Sequence, residues 1–224
     1  MTDQLVEKPT APVSPEGGGW TGALRRRVER TLPLEKLMAD RQPAYVASWI
    51  YVFGVLTLTA LCVVIASGIV LAVKGPSWWH VSGFGHYLNS VHLWAVELLM
   101  TFMSIHLVGK FFMAAWRGRR ALTWITGAVA FGACAFTALT GYLIQQNFES
   151  QWIATQAKDG LNAIGVGAYF NVMNFGQMVL WHVALLPLAV GVVVLGHIVL
   201  VRRHGVVPPL APRDTARPPR TEAS

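Results

Sequence analysis

The stretch Ser90–Lys110, SVHLWAVELLMTFMSIHLVGK, decides how this chain folds. Between its ends it carries a single acid, Glu97, and two histidines, His92 and His106. A helix crosses a bilayer with about 20 apolar residues, and this run is long enough. Fourteen positions separate the histidines; at about 100° per residue they return to within roughly 40° of one face, about 21 Å apart along the axis. The stretch Trp181–Arg202, WHVALLPLAVGVVVLGHIVLVR, repeats the pattern with His182 and His197. Their fifteen-residue spacing misses by about 60° in the other sense and rises about 22 Å. Each helix is thus expected to carry one imidazole near either membrane surface.

Around these stretches lie three runs without a charged residue: Ile50–Val73, Leu122–Ile144 and Met178–Val201. With Val91–Gly109 they predict four transmembrane helices, since an open sheet cannot satisfy its backbone in lipid. The fold class is all-α, a transmembrane four-helix bundle. Composition agrees: 54% hydrophobic and 13% charged residues in 224, with a mean hydropathy of +0.45, exclude a disordered or coiled-coil chain.

The net charge of +7 could suggest nucleic acid. Its distribution explains it better: of the 18 Lys and Arg, only Lys74 and Lys158 fall in the first-to-second and third-to-fourth connections. The positive-inside rule puts both termini and the second-to-third connection in the cytoplasm of the cell membrane. The surplus then reads as topology and lipid-headgroup contact, with no nucleic-acid partner. Met1–Glu7 has no apolar core, so no signal peptide is expected. The predicted organisation is a disordered tail over 1–22, a cytoplasmic-face surface helix and linker over 23–44, the bundle over 45–204 and a Pro-rich disordered tail over 205–224. The long outer connection, roughly 145–175, carries Phe148, Trp152, Tyr169 and Phe170 and should lie on the membrane.

The second and fourth helices run in the same direction, so His92 matches His182 in depth and His106 matches His197. Two His–His pairs at two levels suit two stacked haems, each imidazole giving one axial nitrogen. Interhelical hydrogen bonding is the alternative for any one intramembrane histidine, but four at matched depth favour ligation. Gly54 and Gly68 on the first helix, and Gly127 and Gly141 on the third, are also fourteen apart. Without a Cβ they offer a flat wall to a porphyrin, although membrane helices are glycine-rich in any case. Cys62 and Cys134 lie inside apolar runs, which excludes a disulfide scaffold, a Cys-based zinc site and covalent C-x-x-C-H haem attachment.

The motifs Ser90-Val91-His92-x-Trp94, His106, Leu122-Thr123-Trp124-x-Thr126-Gly127, Thr140-Gly141-Tyr142, Trp152, His182-x4-Pro187, His197 and Arg202 resemble the N-terminal, four-helix half of cytochrome b. The fifteen-residue spacing on the fourth helix is similar to the split form of bf-type complexes, where this half is a separate polypeptide. The resemblance covers about 40–205. It implies two non-covalent haem b groups, with His92 and His182 as ligands of the outer one and His106 and His197 of the inner one. It implies that Gly54, Gly68, Gly127 and Gly141 pack the haems, and that Arg202 lies near an inner quinone site; a snorkelling helix-end arginine is the alternative for Arg202.

The implied partners are a three-helix second half of cytochrome b, a Rieske iron–sulfur protein, a c-type cytochrome, a quinone and a second copy of the complex. The implied function is electron transfer across the membrane within a quinol/quinone oxidoreductase, with this chain inactive alone. Two rivals stand beside it: a di-haem anchor linking quinone to a different, non-Rieske oxidoreductase, and a non-redox haem-binding scaffold.

The departures cluster on the outer side. Val52 stands where the bf type attaches an extra haem through cysteine, so no covalent haem is expected. Asn89 and Leu93 replace basic residues around the first histidine, and Leu143-Ile144-Gln145-Gln146-Asn147 replaces a proline-containing turn. Glu97, turned about 140° from His92, is expected to face another helix or a partner rather than a haem. Its role is either proton transfer or that of a protonated, hydrogen-bonded acid. His80, His86 and His204 read as interfacial polar residues, and Pro187 should kink the fourth helix.

Overall fold

The computed structural model describes residues 20–31, 46 and 48–209. The expectations for 1–19, 32–45 and 210–224 lie outside the described residues. The described residues fall into two compact units, one before and one after Asp40. In the first unit, α1 (Trp20–Thr31) starts at Trp20 rather than residue 23 and places Trp20, Leu24 and Val28 along one exposed stripe.

The second unit holds four helices long and apolar enough to cross a membrane. They are α2 (Trp49–Lys74), α4 (Gly83–Phe112), α5 (Ala121–Leu143, entered through a 3-10 turn at Gly118–Arg120), and α7 (Phe175–Leu180) continuing into α8 (Leu186–His204). No strand occurs among the described residues. This is a multi-pass membrane protein.

Each span ends where the local chemistry stops it. Gly75, at φ +80°, closes α2, and Pro76 opens the short α3 (Pro76–Val81) from its first turn. The Ser82 hydroxyl then accepts from Gly85 N–H and caps α4, which therefore begins eight residues before the charge-poor run at Val91. In the outer connection, Asn147 and Ser150 form a reciprocal capping box that starts α6 (Phe148–Ala163). Asn174 caps α7 by accepting from Gln177 N–H at 2.9 Å.

Pro187 was expected to kink the last span. Its missing N–H is accommodated by a π-helical turn at Trp181–Leu185, just before α8. That turn carries His182.

Two cores hold the unit. Ala60, Leu61, Leu99, Met103, Cys134 and Val190 bring all four spans together midway between the two histidine levels. Leu143, Ile144, Ala154, Val172 and Met178 root α6 and the connection against the outer ends of α5 and α7. Large apolar side chains such as Val55, Ile69, Val129 and Leu188 remain exposed on the span surfaces, as lipid contact requires. The cysteines are free.

Asn147→Ala removes half of the capping box. It is expected to cost about 0.5–2 kcal/mol locally, read as faster hydrogen exchange in the first turn of α6 while the α2 and α4 amides stay protected.

Candidate functional site

The site is built on four close approaches between a helix backbone and an imidazole. A Cβ added at Gly54 would lie 3.1 Å from Cε1 of His106; at Gly68, 3.1 Å from Cε1 of His92; at Gly127, 3.0 Å from Cε1 of His197. At Gly141 it would run into the His182 ring, with Nδ1 and Nε2 both at 2.9 Å. The sequence expected these glycines to face a porphyrin; the structure sets each one against one histidine ring. Gly68–His92 and Gly141–His182 form one level, and Gly54–His106 and Gly127–His197 the other.

At the first of these levels, called outer after the side that the charge pattern predicts, the two rings meet edge to face, with centroids 6.3 Å apart and planes at 85°. Both line a cavity of about 560 Å³ between the spans. Its wall is mostly apolar, from Leu71, Val96, Leu139, Ile144 and Val179 among others. Asn89 and Gln145 close its outer part as a reciprocal amide pair: Asn89 Nδ2 donates to Gln145 Oε1 at 3.0 Å, and Gln145 Nε2 donates back at 3.4 Å. These are two of the positions where the sequence departs from the family pattern.

Local hydrogen bonds decide which ring nitrogen is available. Ser67 Oγ donates to the Val63 carbonyl at 2.7 Å, so towards His92 Nδ1, 2.9 Å away, it acts as acceptor. Thr126 Oγ1 donates to Thr123 O and accepts in the same way from His197 Nδ1 at 3.1 Å. His182 Nδ1 lies 2.9 Å from the Thr137 carbonyl, which can only accept, and 3.3 Å from Thr140 Oγ1. In all three rings Nδ1 carries the proton and Nε2 keeps its lone pair, the state of a metal-binding imidazole. Sequence reading quoted Thr126 and Thr140 only as motif letters and missed Ser67. The signal was present: a hydroxyl residue directly precedes three of the four glycines.

These residues fit a planar metal cofactor. Two imidazoles about 2.0 Å from a shared metal place their ring centroids roughly 6 Å apart, close to the outer pair's spacing. Among the described residues no three His, Cys, Asp or Glu side chains converge on one point.

Glu97 borders the cavity together with Leu93, rotated well away from His92. The cavity wraps round α4 through Asn89, His92, Leu93, Val96 and Glu97, an arc of about 140°. The acid sits at its exposed flank. His80 and His86 are exposed outside that lining, Arg202 is exposed at the end of α8, and His204 Nδ1 lies 3.0 Å from Thr123 Oγ1.

An all-α membrane bundle whose imidazoles converge across an apolar cavity defines a class of membrane proteins built around a wedged planar cofactor. Within that class, the family described as cytochrome b (N-terminal)/b6/petB matches residues 97–221, and the chain belongs to it. The match includes His106, His182, His197, Gly127, Gly141 and Arg202 and begins just past His92. Members of this family bind b-type haem non-covalently.

The chain is 28% identical over 203 residues to a cytochrome bc complex cytochrome b subunit of Chlorobaculum thiosulfatiphilum, covering 81% of this chain and 47% of that protein. It is 25% identical to cytochrome b6 of Bigelowiella natans and of Oltmannsiellopsis viridis, covering 82% and 81% of this chain and 95% and 96% of theirs. It therefore spans about half the length of the first relative and nearly all of the other two. A hyperthermophilic respiratory complex III has the same fold, with a TM-score of 0.64 at 24% identity over 82% of this chain and 53% of that one.

Gly141→Ala drives a methyl group into the His182 ring. It is expected to cost about 1–3 kcal/mol and to lower the haem absorbance retained per purified chain. Gly132→Ala, where a Cβ meets nothing within 4 Å, should leave the absorbance unchanged.

Proposed function

We propose that this chain is the di-haem cytochrome b subunit of a quinol/quinone oxidoreductase of bc/bf type, carrying electrons across the membrane. The observation that supports it most is the outer pair: His92 and His182, from two spans of the same direction, oppose each other across the cavity with Nδ1 hydrogen-bonded and Nε2 free. His106 and His197 lie about 21–22 Å further along their helices, each against its own glycine.

Bound haem, which His92 with His182 and His106 with His197 would hold, would supply a one-electron iron couple at each level. The chain's own part is to hold both levels rigidly, to keep water out with the core of Leu99, Met103 and Val190, and to fix the depth of each imidazole. Moving one charge through the full field is worth about 2.3 kcal/mol per 100 mV, so transfer between the levels can help build a membrane potential.

Arg202, at the inner end of α8, is the proposed quinone contact. The haems are non-covalent, and both termini lie on the cytoplasmic side. A three-helix second half of cytochrome b would complete the outer quinol site, joined by a Rieske protein, a c-type cytochrome and a second copy of the complex. The Asn89–Gln145 pair at the outer cavity favours, as a second reading, an anchor for a different oxidoreductase, because Asn89 replaces a basic residue of the family and Gln145 part of its proline-containing turn, both on the side of quinol oxidation. A scaffold without redox function would show no pair of titrating centres.

Dithionite-reduced spectra and a potentiometric titration of the purified protein should give two low-spin b centres with distinct midpoints. His106→Ala should remove the inner centre and retain the outer one. A single haem per wild-type chain would defeat the proposal.

A further inference from the structure

The hydroxyl–glycine pairs recur with one exception. Ser67-Gly68 serves His92, Thr140-Gly141 serves His182 and Thr126-Gly127 serves His197: in each, the glycine seats the ring and the hydroxyl of the residue before it lies within hydrogen-bond distance of Nδ1, beside a backbone carbonyl (Val64, Thr137 or Thr123) that shares the ring. The fourth pair is Phe53-Gly54. Phe53 packs its ring toward Phe102 and Trp49, and His106 Nδ1, 3.3 Å from where a Gly54 Cβ would stand, is buried with no hydrogen-bond partner.

We infer that Ser67, Thr126 and Thr140 are positioning residues that orient and electronically tune three axial imidazoles, and that Phe53 leaves the His106 imidazole untuned, making the two levels unequal. This rests on the two-level haem reading above. An imidazole that donates its Nδ1–H is held in one orientation and is a more basic ligand at Nε2. A more basic axial ligand stabilises ferric over ferrous iron and lowers the reduction potential. The outer level has two such imidazoles and the inner level one. The inequality traces to one sequence position, Phe53, where the other three pairs carry a hydroxyl.

The test is a potentiometric titration, followed optically and by electron paramagnetic resonance, on the intact haem-loaded protein. Ser67→Ala should raise the midpoint of the outer centre and leave the inner one in place. Thr126→Val keeps the shape and loses the hydroxyl; Thr126→Ser keeps the hydroxyl. The valine variant should raise the inner midpoint, or weaken inner-haem retention by about tenfold or more, while the serine variant behaves as wild type. Phe53→Ser, which supplies the absent hydroxyl, should lower the inner midpoint alone. If Thr126→Val and Thr126→Ser behave alike, or Ser67→Ala moves neither midpoint while both haems stay bound, the inference is overturned. Wild-type protein with fewer than two such centres overturns the functional reading itself, a result separable from either.

Discussion

Everything in this bundle is arranged around four places where a helix backbone, stripped of its Cβ, lies against an imidazole. Such an approach cannot slide along the helix. One more carbon at Gly54, Gly68 or Gly127 would sit about 3 Å from a ring carbon, and at Gly141 it would collide. Two glycines on α2 and two on α5 therefore fix the depth of two histidines on α4, one in the π turn and one on α8. The mid-bundle core, with Ala60, Leu99, Cys134 and Val190 drawn from all four spans, fills the space between the levels and sets their separation. The fold is in this sense a spacer with a ring seat at either end.

The membrane sharpens the chemistry of those seats. A polar ring atom buried in hydrocarbon needs a partner supplied by the protein, because water is absent. Ser67, Thr126 and Thr140 meet that need by turning their hydrogens to backbone carbonyls of their own helices and offering lone pairs to Nδ1. The π turn at Trp181–Leu185 belongs to the same economy. Pro187 cannot donate to the turn before it, and the widened stretch that absorbs this defect is the one presenting His182 to Gly141 and Thr137. A local fault in helix geometry and a functional side chain thus share five residues.

Much of this was legible in the residues. Charge-free runs gave the spans, and the equal fourteen-residue spacings of His92/His106, Gly54/Gly68 and Gly127/Gly141 gave the levels, because helical rise converts sequence distance directly into depth. What escaped was lateral rather than axial. The lateral reach of the cavity, an arc of about 140° round α4 from His92 to Glu97, could not be read from spacing alone. The start of α4 at Gly83 was missed because a Ser82 cap, not hydropathy, sets it. The hydroxyls went unassigned because their partners are 25, 42 and 71 residues away in the chain, a pairing only the folded bundle reveals.

The central claim is that four imidazoles define two coordination sites, each closed on both faces. Electron paramagnetic resonance of the air-oxidised protein, combined with iron quantitation per chain, tests it most directly. Two irons per chain, both giving low-spin ferric signals of equal weight, are the predicted result. One iron per chain, or a dominant high-spin signal from a five-coordinate site, would contradict the account.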